Sequence, residues 1–273
     1  MSLLVKICGL STRETLDVAL EAGADMVGFV FFPPSPRHLS LETARELGRQ
    51  AKGRAVKVAL TVDADDATLE NIVETLQPDI LQLHGKETVA RVRDIKQRLG
   101  LQVMKVLAVE TTADLAPLGG YAAVADRILF DARAPKGATR PGGLGAVFDW
   151  HVLEQLELAL PFMVSGGLNA DNVAEAVRVT RAGGVDISSG VERSPGIKDP
   201  ELIRAFIRAA RGVPSPLPVH GERSDRASDP GEGESPRSQL LANLRREPLT
   251  PTLSPQERGE GVETARPRAP QKN

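Results

Sequence analysis

From Leu3 to Ala210, short apolar runs rich in Val and Ile alternate eight times with amphipathic stretches of helical period. Strand after helix after strand implies parallel pairing through right-handed crossovers, which leaves few architectures open. The strand candidates are 3–7, 26–31, 56–62, 80–83, 103–108, 127–130, 162–165 and 185–188. They read as continuous apolar runs rather than strict alternation, as strands covered on both faces do. The helix candidates are 12–22, 41–51, 67–76, 87–99, 112–118, 150–158, 172–180 and 200–210. Ser11, Asp171 and Asp199 stand before helices as start signals, with Pro200 at a first helical position, and Gly23, Gly100 and Gly212 follow helix ends. Eight such units are what a closed (β/α)8 TIM barrel requires. The competing open doubly wound sheet calls for a glycine-rich phosphate loop after the first strand, and Cys8-Gly9-Leu10-Ser11 lacks the spaced glycines.

The pattern stops at Gly212. The 61 residues beyond it hold ten of the 20 prolines and no Phe, Trp or Tyr, and their charges cancel. Such a segment cannot bury enough apolar surface to offset its ordering entropy, so residues 1–212 are expected to form one catalytic barrel and residues 213–273 a disordered, Pro-rich tail. Leu240, Leu241 and Leu244 have local helical spacing within that tail. Over the whole chain 34 basic residues face 36 acidic ones, a net charge of -2 that gives no electrostatic reason for a nucleic-acid or membrane partner. No apolar run approaches the roughly 20 residues of a membrane helix, and the N-terminus has no signal-peptide pattern, so the expected location is the cytoplasm. A single cysteine excludes an internal disulfide. No heptad or patch marks an oligomer interface, leaving monomer and homodimer open.

In a (β/α)8 barrel the carboxyl ends of the strands face one cleft. Those ends carry Cys8, then Arg37 in a proline-stiffened loop, Asp63, Gln82 with His84, Asp131 with Arg133, Ser165-Gly166-Gly167, and Asp186 with Ser188-Ser189-Gly190. Paired glycines and neighbouring serines after strands seven and eight can surround an anion, so Gly166, Gly167, Ser188, Ser189 and Gly190 are expected to bind the phosphate of a small molecule. Cys8 and Asp131 make a candidate base and acid, since moving a proton off carbon and another onto oxygen needs two groups on different sides of a substrate. A thiol becomes a usable base when a nearby cation favours its thiolate. Lys6 lies two residues before Cys8, on the same strand face, and is read either as that cation or as half of a buried ion pair.

These residues fall in segments that resemble phosphoribosylanthranilate isomerase. The matching stretches are Val5-Lys6-Ile7-Cys8-Gly9, Ala22-Gly23-Ala24-Asp25, Gly28-Phe29-Val30-Phe31, Ser35-Pro36-Arg37 and Leu81-Gln82-Leu83-His84-Gly85. They continue with Phe148-Asp149-Trp150, Ser165-Gly166-Gly167-Leu168, Val185-Asp186-Ile187-Ser188-Ser189-Gly190-Val191-Glu192 and Pro195-Gly196-Ile197-Lys198-Asp199. The resemblance implies an Amadori rearrangement in tryptophan biosynthesis, taking a phosphorylated aminosugar from aldose to ketose without metal or organic cofactor. By the same resemblance Asp131 is the general acid, Cys8 the general base, Arg37 the holder of the anthranilate carboxylate, and His84 and Asp186 line the pocket.

Three departures stand out. Gly142-Gly143-Leu144-Gly145 has a leucine where the family often has a hydroxyl; the loop after Asp131 is long and basic, with Arg133, Lys136 and Arg140; and the tail is extra. That basic loop is read either as a lid bringing cations to the ligand or as a solvated loop. Two rival functions remain. One is an isomerase for the related histidine-pathway aminoaldose, alone or with both substrates, although those enzymes pair two aspartates where this chain has Cys8. The other is a barrel that binds phosphate as a non-catalytic sensor.

Overall fold

The computed structural model describes residues 3–213. Apart from Val213, which packs against the core, the stretch expected to form a tail lies outside the described residues, and so does the 238–246 segment. Eight parallel strands close on themselves in sequence order: β1 (Leu4–Cys8), β2 (Met26–Phe31), β3 (Val56–Thr61), β4 (Ile80–Leu83), β5 (Gln102–Val109), β6 (Arg127–Ala132), β7 (Phe162–Val164) and β8 (Gly184–Ile187), with β8 pairing back to β1. The expected (β/α)8 barrel is therefore the observed one.

Side chains alternate across each strand. Met26, Val56, Val58, Ile80, Met104, Val106, Leu129 and Met163 form one apolar cluster of the barrel, with Cys8, Val30 and Leu60 in a smaller one beside the pocket. The outward set, including Val5, Ile7, Val27, Phe29, Leu81, Phe130 and Val185, packs with Leu16, Leu47, Leu69, Val92, Val177 and Phe206 of the surrounding helices. At the amino end of the barrel, three carboxylates each sit one residue before a strand and clamp the strand preceding it. Asp25 accepts from Val5 N at 2.8 Å, Asp79 from Lys57 N at 2.8 Å and Asp126 from Val103 N at 2.9 Å. The equivalent position before β8 is Gly183, which has no side chain to do this.

The helices are α1 (Arg13–Ala22), α2 (Leu41–Ala51), α3 (Asp66–Leu76), α4 (Val89–Leu99), α5 (Leu118–Ala122), α6 (Val173–Thr180) and α7 (Pro200–Arg211). Two expected helices differ. The 112–118 segment is a 3-10 turn, Thr112–Leu115, followed by the five-residue α5. Pro117 lacks an N–H and so cannot donate back to the preceding turn, which explains the break although Ala116 keeps a helical backbone. The 150–158 segment is a 3-10 turn over Trp150–Leu153. Its bonds run Val152 N to Asp149 O, Glu154 N to His151 O and Leu156 N to Leu153 O, a repeat of three that buries the same apolar side chains as an α-turn would.

Some boundary signals also moved. Thr12, not Ser11, caps α1 through its side chain, and Asn172, not Asp171, precedes α6. Asp199 does cap α7, accepting from Glu201 N and Leu202 N. Gly23 and Gly100 are left-handed, whereas Gly212 keeps a right-handed backbone. A short hairpin not foreseen in the sequence, β9 (Glu192–Ser194) and β10 (Ile197–Lys198), stands between β8 and α7.

Candidate active site

A pocket opens at the carboxyl end of the barrel and is lined by Cys8, Arg37, Gln82, His84, Asp131, Ser165, Gly166, Gly167, Asp186, Ser188, Ser189 and Gly190; of the strand-end residues noted in the sequence, Asp63, which accepts from Lys86 N at 2.6 Å, and Arg133 do not line it. Each comes from the end of a strand or the loop after it, so closure of the barrel assembles what the chain keeps up to 182 residues apart.

Cys8 ends β1 with its thiol nearly buried. Two residues earlier on the same face, Lys6 is fully buried and donates to Asp186 Oδ1 at 2.9 Å. Both sequence readings of Lys6 hold, because the ion pair lies against the thiol. A side chain at Gly28 of β2 would set its Cβ 2.8 Å from Cys8 Sγ and 3.1 Å from Lys6 Nζ, so glycine there makes the room. Burial pushes the Cys8 thiol above its ordinary pKa, Lys6 draws it back, and Asp186 adds to the rise. Burial also opposes the Lys6 ammonium, but Asp186 and Cys8 outweigh it and hold its pKa above the ordinary lysine value.

Asp131, on β6, accepts from Ala132 N at 3.0 Å through Oδ1 and turns Oδ2 to within 3.4 Å of His84 Nε2. That contact is close but makes no hydrogen bond, and His84 Nε2 has no other partner. Gly142, folding back from the loop after β6, sits against both: a Cβ there would fall 2.5 Å from Asp131 Oδ2 and 2.6 Å from His84 Cε1. Real side chains do not show such distances, so with any other residue here the loop or the Asp131 and His84 side chains would have to shift. Leu144, the departure from the family pattern, lines the pocket and is partly exposed. The basic loop divides its cations. Arg133 pairs with Asp114 and with Glu110, away from the pocket, while Arg140 lines it.

Arg37 is buried and held from behind. Its Nε donates to Glu192 Oε1 at 2.7 Å and its Nη2 to Oε2 at 2.8 Å, a two-bond fork that fixes the guanidinium plane. Glu192 Oε1 also accepts from Lys198 Nζ at 2.8 Å, and Lys198 in turn donates to Ser188 O at 2.8 Å and Ser188 Oγ at 3.3 Å. The hairpin thus ties the Arg37 loop to the serine loop after β8. The two ends of the Glu192–Lys198 pair respond differently. Burial raises Glu192, but the Arg37 hydrogen bonds and the Lys198 charge hold it below the usual range; burial takes Lys198 down to about 8 despite Glu192. The two cations around the carboxylate keep Glu192 charged, whereas for Lys198 burial is the larger influence and Arg37 adds to it.

Gly166 and Gly167 both have positive φ, 88° and 61°, which a residue with a side chain adopts only under strain. The space beside them is filled by Ala132 and Val147, and a Cβ at Gly190 would collide with Leu168 O. The two small-residue loops after β7 and β8 therefore pack on each other and present Ser165, Ser188 and Ser189 at one end of the pocket. In the sequence Glu192 and Lys198 stand out only as members of the matching segments. No sequence signal assigns them to Arg37, which is 155 positions from Glu192.

A (β/α)8 barrel that gathers a thiol, a carboxylate and fixed cations at the carboxyl ends of its strands is built as a barrel enzyme. Residues 5–209 match the family model for N-(5'-phosphoribosyl)anthranilate (PRA) isomerase. Curated relatives of that name include one from Bradyrhizobium sp. (strain ORS 278), 80% identical over 213 residues that are 78% of this chain and 97% of the relative. Another, from Rhodopseudomonas palustris (strain BisB18), is 75% identical over 77% of this chain and 97% of its own. Among solved structures, phosphoribosyl anthranilate isomerase from Thermotoga maritima superposes with a TM-score of 0.70 at 35% identity, covering 77% of this chain and all of that one. A second, with a TM-score of 0.66 at 32% identity and the same coverage, is a phosphoribosyl anthranilate isomerase in complex with reduced 1-(o-carboxyphenylamino)-1-deoxyribulose 5-phosphate. The chain belongs to the phosphoribosylanthranilate isomerase family.

Proposed function

We propose that the protein isomerises N-(5-phosphoribosyl)anthranilate to 1-(2-carboxyphenylamino)-1-deoxyribulose 5-phosphate, the aldose-to-ketose step of tryptophan biosynthesis. The observation that carries this reading is the placement of Cys8 and Asp131 in one pocket with the fixed Arg37 guanidinium. Asp131, in its protonated form, gives its proton to the furanose ring oxygen, the C1′–O bond breaks, and the anilino nitrogen lone pair forms the Schiff base. Cys8, as thiolate, removes the proton from C2′, and the electron pair neutralises the iminium as an enolamine. Tautomerisation to the ketone completes the reaction, so each chemical step is a proton transfer joined to a bond shift.

The chain's own groups fit these roles. Lys6 is the resident cation that favours the thiolate against burial. Arg37, gripped by Glu192 along its Nε and Nη2 edge and by Gly143 O at Nη2, offers its Nη1 donors to the substrate carboxylate. The Ser165–Gly167 and Ser188–Gly190 loops receive the phosphate, with Lys198 behind Ser188. His84 and Asp186 complete the walls. Among the described residues no helix is long and apolar enough to cross a membrane. We place the enzyme in the cytoplasm, as a monomer or homodimer. Growth of a tryptophan auxotroph lacking this isomerase tests the reading: rescue by the full chain supports it, and failure of well-expressed, folded protein to rescue contradicts it.

A further inference from the structure

Gln82 stands on β4 with both polar atoms of its carboxamide, Oε1 and Nε2, buried and without a hydrogen-bond partner. Its side chain is about 1% exposed, yet it lines the pocket. Strand register places it beside Leu60, which packs with Cys8, and two residues before His84 on the same face. The charged groups nearby are already occupied, Lys6 with Asp186, Arg37 with Glu192, and Lys198 with Glu192 and Ser188, whereas His84 Nε2, two residues along the strand, is also without a hydrogen-bond partner.

A buried amide with neither end satisfied costs stability, and such a group persists where something else satisfies it. Its chemistry says what that is. A carboxamide offers one acceptor and two donors with no net charge, which suits a pair of neutral neighbouring hydroxyls and not a phosphate or carboxylate. Resting on the isomerase reading, we propose that Gln82 is the sugar-recognition residue of the pocket. Its Oε1 accepts from one hydroxyl of the sugar and its Nε2 donates to the oxygen of the next, so that it reads the diol while Arg37 and the two serine loops hold the charged ends. Aliphatic or aromatic phosphates without the diol gain nothing from it.

The test compares wild type with Gln82→Met and Gln82→Leu, which remove the amide and keep most of the volume. The probes are the reduced 1-(o-carboxyphenylamino)-1-deoxyribulose 5-phosphate and inorganic phosphate alone, with thermal melting of the free proteins. The expected result is affinity for the reduced ketose analogue at least tenfold weaker in both variants, affinity for inorganic phosphate changed less than twofold, and melting temperatures equal to wild type or higher. Unchanged affinity for the analogue overturns the inference, and so does a fall in melting temperature or failure to fold in both variants, which would mean the amide is a structural group. Wild type that neither binds the analogue nor turns over the aminoaldose removes the isomerase reading itself, whatever the variants do.

Discussion

Lys6 and Asp186 form an ion pair 2.9 Å long, the lysine fully buried and the aspartate nearly so at the pocket wall, and the Cys8 thiol lies on the same strand face two residues from the lysine. The pair lets a buried cation persist where burial alone would strip its proton, and it sets that cation against the one thiol of the chain.

Lys6→Met therefore has two effects. It leaves Asp186 buried without a cation, which costs about 3–5 kcal/mol of folding stability. The pKa of Lys6 is raised in the folded state, so this contribution is present in full below the unfolded value of about 10.4 and lost only as pH rises through the folded one. The loss will accordingly be seen undiminished in urea titrations between pH 6 and 9. The second effect is on Cys8, whose pKa rises further without the cation. The rising limb of kcat/KM against pH moves to higher pH in the surviving folded protein.

Gly142→Ala is the corresponding probe of Asp131. The added methyl would stand 2.5 Å from Asp131 Oδ2 and 2.6 Å from His84 Cε1, so either the loop or the acid must shift. Displacing a reacting group by about 1 Å can cost on the order of 100-fold in rate. Turnover is expected to fall by about that factor while the melting temperature stays within a few degrees, because the loop lies over the pocket and outside the core.

Glu192→Gln loosens the fork on Arg37 and leaves Lys198 without its carboxylate. KM is expected to rise about tenfold with a smaller change in kcat, as binding common to ground and transition states is lost. Glu192 titrates below the ordinary carboxylate range, so the stability it provides is present above about pH 4.3 and lost as pH falls through its lower folded value. The difference in melting temperature between wild type and variant will shrink towards zero as pH falls below 4. In wild type, Lys198 loses its proton near pH 8, and KM for the anionic substrate rises above that point.

Much of this was legible in the sequence because a parallel barrel writes itself as apolar runs and ends each run at the cleft. Cys8, His84, Asp131 and Asp186 were found by that rule, without knowledge of which strands touch. What depends on contacts between distant positions was not legible. The grip of Glu192 on Arg37 spans 155 positions, and the need for glycine at 142 exists only because Asp131 and His84 meet there. The 150–158 segment differs for another reason: over nine residues a repeat of 3 aligns Trp150, Leu153 and Leu156 and a repeat of 3.6 keeps them within a stripe of about 120°, too small a difference to tell the two apart. The hairpin at 192–198 was too short to leave a periodic trace.

The most direct test is steady-state turnover of N-(5-phosphoribosyl)anthranilate by purified wild type, Cys8→Ala and Asp131→Ala, with folding followed by circular dichroism. A base and an acid on opposite sides of one sugar predict that each variant stays folded and loses about 10²- to 10⁴-fold in kcat. Wild-type turnover in either folded variant would contradict the account.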